Sequence, residues 1–188
     1  GTRKLAGGEV TIDGKTTVHP APPESIRQGM AFICEDRRGK AMIPSFTVEE
    51  NMMLSSIDRY TKGSWFQKRA ACKKAADMIK VLKIGGNQQK VVFAKALLTE
   101  PSIWLCDEPT QAVDVATRQE IHRLLKEEAK KGKAVLYVSS DLTELLEVAD
   151  EVAVMACGRV RKTFENKDLK PTDVLACCYE AEREENDR

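Results

Sequence analysis

The segment Ser102-Ile-Trp-Leu-Cys-Asp-Glu-Pro-Thr110 is the most informative part of the sequence. Its apolar run has the composition of a buried strand, and the strand ends at two adjacent acids, Asp107 and Glu108. Ligands of layered α/β proteins bind at the carboxyl ends of the strands, so both carboxylates are predicted to face a ligand. Successive strand residues point to opposite faces, so the two acids can take different tasks.

Two carboxylates at a strand end can serve phosphoryl transfer. One can hold Mg²⁺, a hard cation that prefers oxygen ligands. The other can orient or deprotonate a water that attacks a phosphoryl group. For this stretch taken alone, the alternative is a strand that simply ends in a polar turn.

Strands alternate with helices along the rest of the chain. Buried strands are predicted at 30–34, 134–138 and 151–155, with a partner strand at 160–164, and helices at 23–27, 47–82 (interrupted at Gly63), 88–98, 116–131 and 142–148. A small antiparallel hairpin is predicted around Asp13-Gly14, and a frayed, charged tail from Glu180. The pattern predicts an α/β fold with a mostly parallel sheet and an inserted all-helical block.

Composition excludes several classes of protein. The 188 residues include 30 Lys and Arg against 29 Asp and Glu, and this balance argues against nucleic acid as the main ligand. No apolar run approaches the roughly 20 residues of a membrane span. The six cysteines form no Cys-x-x-Cys, and His19 and His122 have no ligand spacing, which favours a reduced, cytosolic chain. Cys106 and Cys157 are expected to pack as small hydrophobes.

Three motifs in register resemble those of ABC-type ATPases. Leu105–Thr110 is similar to their Walker B segment, Gln111–Asp114 to their D-loop, and Gly85–Lys90 to their signature motif. The residue sequences of Asn87–Lys90 and of Glu35–Arg38 resemble those of the second ATP-binding half of simple-sugar importers of the ribose, galactose and xylose type. The resemblance covers about residues 7–164 and implies a P-loop NTPase-like core.

The resemblance also implies roles for individual residues. Glu108 would act as catalytic base, Asp107 would hold Mg²⁺, and Glu35 would sense the metal or the attacking water at the place of the Q-loop Gln. Ser140 stands at the place of the catalytic switch His. The residues that would face the nucleotide across a dimer interface are Gly85, Gly86, Asn87, Gln88 and Asp114. The alternatives are an ordinary interhelical turn at Gly85-Gly86, a helix N-cap at Asp114 and a surface charge cluster of Glu35 with Arg37 and Arg38.

The chain departs from the family's pattern in three places. It contains no G-x-x-x-x-G-K-[ST] loop, so we expect it to begin after that loop and, by itself, to bind ATP weakly and not to hydrolyse it. Leu82-Lys-Ile84 runs directly into Gly85 without the family's Leu-Ser, which predicts closely abutting helices. Ser140 has a hydroxyl that does not titrate near neutral pH.

The resemblance therefore implies an ATP-binding and ATP-hydrolysing energy-coupling domain of a sugar importer. Its cofactors would be ATP and Mg²⁺, its partners a second nucleotide-binding half and a membrane-spanning permease subunit that meets the block near 42–82, and its place the cytoplasmic face of the membrane. Residues 1–188 would form one truncated ABC ATPase domain, with a helical and signature subdomain at 40–98, a Walker B and switch core at 99–165 and a C-terminal tail at 166–188. A non-catalytic regulatory module, or a soluble ABC ATPase acting on nucleic acid or ribosomes, stays open as an alternative.

Overall fold

The computed structural model describes residues 6–17, 21–36, 39, 41–85 and 87–186, the last six by their backbone alone. The chain divides into two compact units, the first up to Leu136 and the second from Tyr137. The elements, in chain order, are β1 (Val10–Ile12), β2 (Lys15–Thr17), α1 (Pro22–Arg27), β3 (Met30–Ile33), α2 (Val48–Met53), a 3-10 helix (Leu54–Tyr60), β4 (Thr61–Lys62), β5 (Trp65–Phe66), α3 (Lys68–Val81), α4 (Gln88–Leu97), β6 (Ile103–Asp107), α5 (Val115–Lys130), β7 (Ala134–Val138), α6 (Leu142–Val148), β8 (Glu151–Ala156), β9 (Arg159–Glu165) and α7 (Pro171–Asn186).

The main sheet has the strand order β3-β6-β7, which places β6 in the middle. Strands β3 and β6 are parallel, with Ile33 opposite Cys106, and the backbone N–H of Ala134 donates to the carbonyl of Ser102 at 2.9 Å. The predicted hairpin is also present, because β1 and β2 pair antiparallel across Asp13 and Gly14. The prediction of an α/β fold with a parallel sheet and a small hairpin is therefore confirmed.

Helix α4 is the central helix of the first unit. One of its sides joins a core cluster with α2 and α3, whose members include Met52, Ala71, Val91 and Ala94. Toward the sheet, the ring of Phe93 stacks on that of Trp104, with centroids 6.1 Å apart. Trp104 and Cys106 share this buried face of β6. Because side chains alternate along a strand, the side chain of Asp107 points to the opposite face.

Three strands predicted to be buried are only partly so. Strands β3, β7 and β8 expose alternate residues: Phe32 is 62% exposed, Leu136 60% and Met155 67%. The reason is the two-residue period of a strand, which turns only every second side chain toward a packed layer. The prediction that Cys157 is a packed hydrophobe is also wrong, since it lies exposed in the turn between β8 and β9 with φ +54°.

The block between β3 and β6 is not wholly helical. The predicted break at Gly63 is a two-stranded hairpin of β4 and β5, and Gly63 has φ +59°, a conformation that glycine adopts without strain. Helices α3 and α4 do not abut, because residues 82–87 connect them. A capping box at Thr47 and Glu50 begins α2, as the sequence predicts.

The second unit has its own small core. Strands β8 and β9 pair antiparallel, and Val152 and Val154 pack with Val174 of α7. The expectation of a frayed tail from Glu180 is wrong, because α7 continues to Asn186. Among the described residues, no helix combines the length and the apolar character that a membrane span needs.

Candidate functional site

The two acids lie at the carboxyl end of the central strand. Asp107 is the last residue of β6 and is exposed, while Glu108 follows it in a partly buried position. Glu108 has φ +45°, which is uncommon for a residue with a side chain and is often found at functional sites. The chain then turns back, and we call residues 107–114 the acidic turn. Within it, the N–H of Gln111 donates to the carbonyl of Glu108 at 3.3 Å.

Glu35 reaches the same edge of the sheet. It follows the end of β3 by two residues and is exposed. Since Ile33 and Cys106 are partners in parallel strands, the chain segments that follow them emerge side by side. The structure therefore brings Glu35, Asp107 and Glu108 to one edge, while the predicted partners of Glu35, Arg37 and Arg38, lie outside the described residues.

The glycine-rich turn, residues 82–87, precedes α4. At Gly85, an added Cβ would meet no atom within 4 Å, and its φ is not in the left-handed region. Neither packing against the described residues nor backbone conformation therefore requires glycine at this position, and both the nucleotide-facing reading and the interhelical-turn reading of Gly85 stay predictions. Gly86 lies outside the described residues.

Asn87 caps α4 and also contacts a second helix. Its side-chain oxygen accepts a hydrogen bond from the N–H of Gln89 at 3.0 Å, and its Nδ2 donates to Oγ1 of Thr117 at 2.9 Å. Gln88, the first residue of α4, is half-buried. The structure thus gives Asn87 a role within the chain that the sequence-based prediction did not include.

Asp114 is the N-cap of α5. Its carboxylate accepts hydrogen bonds from the N–H of Thr117 at 2.9 Å and from Oγ1 of Thr117 at 2.8 Å. These bonds from the Thr117 backbone and side chain lower the pKa of Asp114. The N-cap alternative for Asp114 is therefore present, and its contact across a dimer interface stays a prediction.

Sequence reasoning missed Gln89 and Thr117. Gln89 is fully buried, and its Nε2 donates to the carbonyl of Pro109 in the acidic turn. The Asp-x-x-Thr spacing at 114–117 is the spacing of a cap and its third helical residue, and it could have identified Thr117 as a capping partner. No local signal pairs Thr117 with Asn87, because they are 30 residues apart.

Ser140 belongs to the second unit. It is exposed and lies between β7 and α6, immediately before the N-cap residue Asp141, whose carboxylate accepts from the N–H of Glu144 at 3.1 Å. A role for Ser140 in catalysis stays a prediction.

Few residues here are available to a metal. Within the described part of the chain, no three His, Cys, Asp or Glu side chains lie close enough together to hold a metal ion by themselves. Mg²⁺ is commonly bound through one or two carboxylates together with substrate phosphates and water, so the exposed Asp107 carboxylate fits this donor set. The six cysteines are free thiols, and burial raises the pKa of Cys106 to about 12, which favours its neutral, unreactive form.

Comparisons with known proteins agree with this geometry. The family model "ABC transporter" matches residues 1–111. The chain is 36% identical to the ribose import ATP-binding protein RbsA of Halalkalibacterium halodurans, covering 93% of this chain and 38% of that protein. It is also 36% identical to ribose import ATP-binding protein RbsA 1 of Streptomyces coelicolor, covering 94% of this chain and 37% of that protein.

A solved structure has the same fold. It is the dimeric, post-hydrolysis state of the ATP-binding cassette MJ0796 bound to ADP and Pi, with a TM-score of 0.74 and 26% identity over 88% of this chain and 76% of that one. The chain spans less than two fifths of the length of the two curated relatives. The matched family model covers more than half of the chain, so this protein belongs to the ABC transporter family.

Proposed function

We propose that this chain is part of the ATP-binding and ATP-hydrolysing, energy-coupling component of an ABC importer for a simple sugar. The observation that carries the proposal is the pair Asp107 and Glu108 at the end of the central strand. The helix that follows the glycine-rich turn contacts this region, because Gln89 donates to the carbonyl of Pro109. Family membership and the names of the ribose-import relatives support it.

In the proposed mechanism, ATP would supply the phosphoryl group, and a bound Mg²⁺ would neutralise charge on its phosphates. Asp107 would hold the metal, and Glu108 would accept a proton from the attacking water or orient it. Glu35, at the same edge, would contact the metal or that water. Gly85, Gly86 and Gln88 would face the nucleotide of a partner half, and Ser140 would donate a hydrogen bond in place of the switch His.

The proposed division of the chain into parts is the one that the sequence predicts. Residues 40–98 carry the helical and signature part, 99–165 the Walker B and switch core, and 166–188 the C-terminal part. A second nucleotide-binding half completes each site, and the assembly lies at the cytoplasmic face of the membrane. Which sugar is carried depends on other components of such an importer.

A membrane-spanning permease subunit is the proposed partner of the loop before α2. Ile43 and Phe46 in this loop, and Val48 at the start of α2, are apolar and partly exposed. Asn51 holds this loop in shape: its Oδ1 accepts from the N–H of Ile43 at 2.7 Å, and its Nδ2 donates to three loop carbonyls. A rigid apolar patch of this kind is suited to bind an apolar partner segment.

The partner proposal is tested with Phe46→Ser, at 42% exposure, against Leu175→Ser, at 44% exposure in the second unit. Phe46→Ser is expected to weaken assembly with the permease by about tenfold, since buried aromatic anchors dominate interfaces. ATP binding should be unchanged in both variants. Equal assembly of the two variants would contradict the proposed surface.

The function is tested by ATP binding and turnover of the intact polypeptide that carries this chain, with and without Mg²⁺. Asp107→Asn should raise the Mg²⁺ concentration required for half-maximal turnover by about tenfold, because a metal ligand loses its charge. Glu127→Gln, an exposed acid paired with Arg123, is the control. Tight ATP binding without turnover would support a regulatory module instead, and stimulation by nucleic acid instead of permease would support the soluble ATPase.

A further inference from the structure

The first turns of α4 and α5 are joined by polar side chains. Asn87 donates to Thr117 at 2.9 Å, and one helical turn further on Lys90 forms an ion pair with Glu120. Both pairs are separated by 30 residues, so the two first turns run side by side in the same direction. The two helices therefore begin at the same end of the first unit.

A third link joins α4 to the acidic turn itself. Gln89 is fully buried and donates through Nε2 to the carbonyl of Pro109, directly after Glu108, while its Oε1 has no partner among the described residues. Burial of an amide with an unpaired oxygen costs free energy, which offsets part of the stabilisation that the bond to the Pro109 carbonyl provides. This cost favours a positioning role for Gln89.

Thr117 hydrogen-bonds to the N-cap residues of both helices. Its hydroxyl donates to the Asp114 carboxylate at 2.8 Å and accepts from Asn87 at 2.9 Å, which uses its one donor and one of its acceptor sites. The hydroxyl thus touches both the cap of α4 and the cap of α5. The two turns on either side of it carry the predicted nucleotide-facing and catalytic residues.

We propose that Thr117 is a positioning residue that couples the glycine-rich turn to the acidic turn, so that both move as one body during ATP turnover. The proposal rests on the proposed function. Displacement of catalytic groups by about 1 Å can cost up to about a hundredfold in rate, so a link between these turns affects turnover without touching nucleotide. Loss of the link should therefore lower kcat and leave KM for ATP nearly unchanged.

The test is ATP turnover by the intact polypeptide with Thr117→Val, which keeps the shape and removes the hydroxyl. Loss of the hydroxyl's two bonds should lower kcat about tenfold, with KM changed by less than about twofold. Thr117→Ser keeps the hydroxyl and should restore at least about half of the turnover. The matched control is Thr99→Val: Thr99 is similarly buried, and its hydroxyl donates only to the carbonyl of Ala96 at the end of α4.

Equal kcat in Thr117→Val and Thr99→Val would overturn the inference, because a merely structural hydroxyl affects both sites alike. A second readout separates this failure from failure of the proposed function. Amide hydrogen exchange in 88–91 and 108–114 should be faster in Thr117→Val than in Thr99→Val, whether or not ATP is hydrolysed. Identical exchange contradicts the link, and a wild-type polypeptide without ATPase activity contradicts the proposed function alone.

A double variant tests whether Asn87 is the residue through which Thr117 acts on the glycine-rich turn. Asn87→Ser keeps a residue that caps helices well but is too short to reach Thr117. If Asn87 acts through Thr117, the Asn87→Ser, Thr117→Val double variant should turn over ATP as slowly as the slower single variant. Multiplying effects would show that the two residues act independently and would contradict the coupling.

Discussion

Helices α2 and α5 begin with similar caps that differ in what they reach. At α2, Thr47 and Glu50 bond to each other, with the Thr47 N–H donating to Glu50 at 2.8 Å and the Glu50 N–H donating to Thr47 at 3.2 Å. At α5, Asp114 and Thr117 bond to each other, and Thr117 also accepts from Asn87 of the α4 cap. A side-chain cap thus closes one helix end at α2 and joins two helix ends at α5.

A helix cap can position a site as well as stabilise a helix. The α2 cap satisfies backbone groups of its own first turn, which is what local sequence encodes. The α5 cap satisfies the N–H of Thr117 in its own first turn and adds a bond to a residue 30 positions earlier. Substitutions at the two caps should therefore have similar effects on stability and different effects on turnover.

The largest expected effect separates the two caps directly. Asp114→Ala should lower ATP turnover of the intact polypeptide by about tenfold or more, because the acidic turn loses its anchor. Thr47→Ala removes a cap of the same kind, lowers the free energy of unfolding by about 1 kcal/mol and should leave turnover unchanged when no permease is present. Turnover and thermal unfolding are measured on both variants. Equal turnover of the two variants would contradict the proposal that only the α5 cap positions the site.

A smaller effect is expected at Gln89, which links α4 to the acidic turn. Gln89→Leu leaves the buried carbonyl of Pro109 without its donor, which should cost about 1–3 kcal/mol of stability and several-fold in turnover. Gln119→Leu, on the exposed surface of α5, is the control and should change stability by less than about 0.5 kcal/mol. Denaturant unfolding measures both variants. A loss no larger than that of the control would mean that the Gln89 bond carries no stabilising role.

The smallest effect on turnover is expected at the other end of α5. Glu128 is buried there and accepts bonds from Lys131 and Lys133. Burial alone raises the pKa of Glu128, but the two lysines outweigh it and hold the pKa below the ordinary 4.5.

A folded-state pKa below the unfolded value stabilises the protein above the unfolded pKa, and this stabilisation is lost as pH falls through the folded value. Glu128→Gln should therefore lower stability at neutral pH and leave turnover unchanged. The difference from wild type should shrink as the pH falls below about 4.5. Denaturant unfolding at pH 7, 5 and 3.5 measures it. A difference that is constant across this range would contradict the assigned charge pairing.

The sequence predicts those features whose cause is local. The strand before Asp107, the hairpin at Asp13-Gly14, the capping box at Thr47 and the helix before Lys131 all follow from periodicity, turn residues and caps within a few positions. The acids at the carboxyl end of the central strand follow from the same reasoning combined with the parallel order of the strands.

Features that depend on distant partners are not predictable in this way. The exposure of Leu136 depends on which layer packs against β7, and that of Cys157 on the turn that β8 and β9 share. Helix α7 continues through a charged segment because Val174 at its start packs on β8. The Asn87–Thr117 bond joins two helices whose proximity is set by the sheet and not by either local sequence.

The most direct test of the account is Glu108→Gln in the intact polypeptide, with ATP binding and ATP turnover measured on the same preparation. A carboxylate that activates the attacking water contributes about a hundredfold to ten-thousandfold to the rate, whereas the amide keeps its size and hydrogen-bonding capacity. We expect ATP binding at wild-type affinity and turnover reduced at least about a hundredfold. Undiminished turnover, with any second ATP site in the polypeptide disabled, would contradict the claim that the end of β6 carries the chemistry.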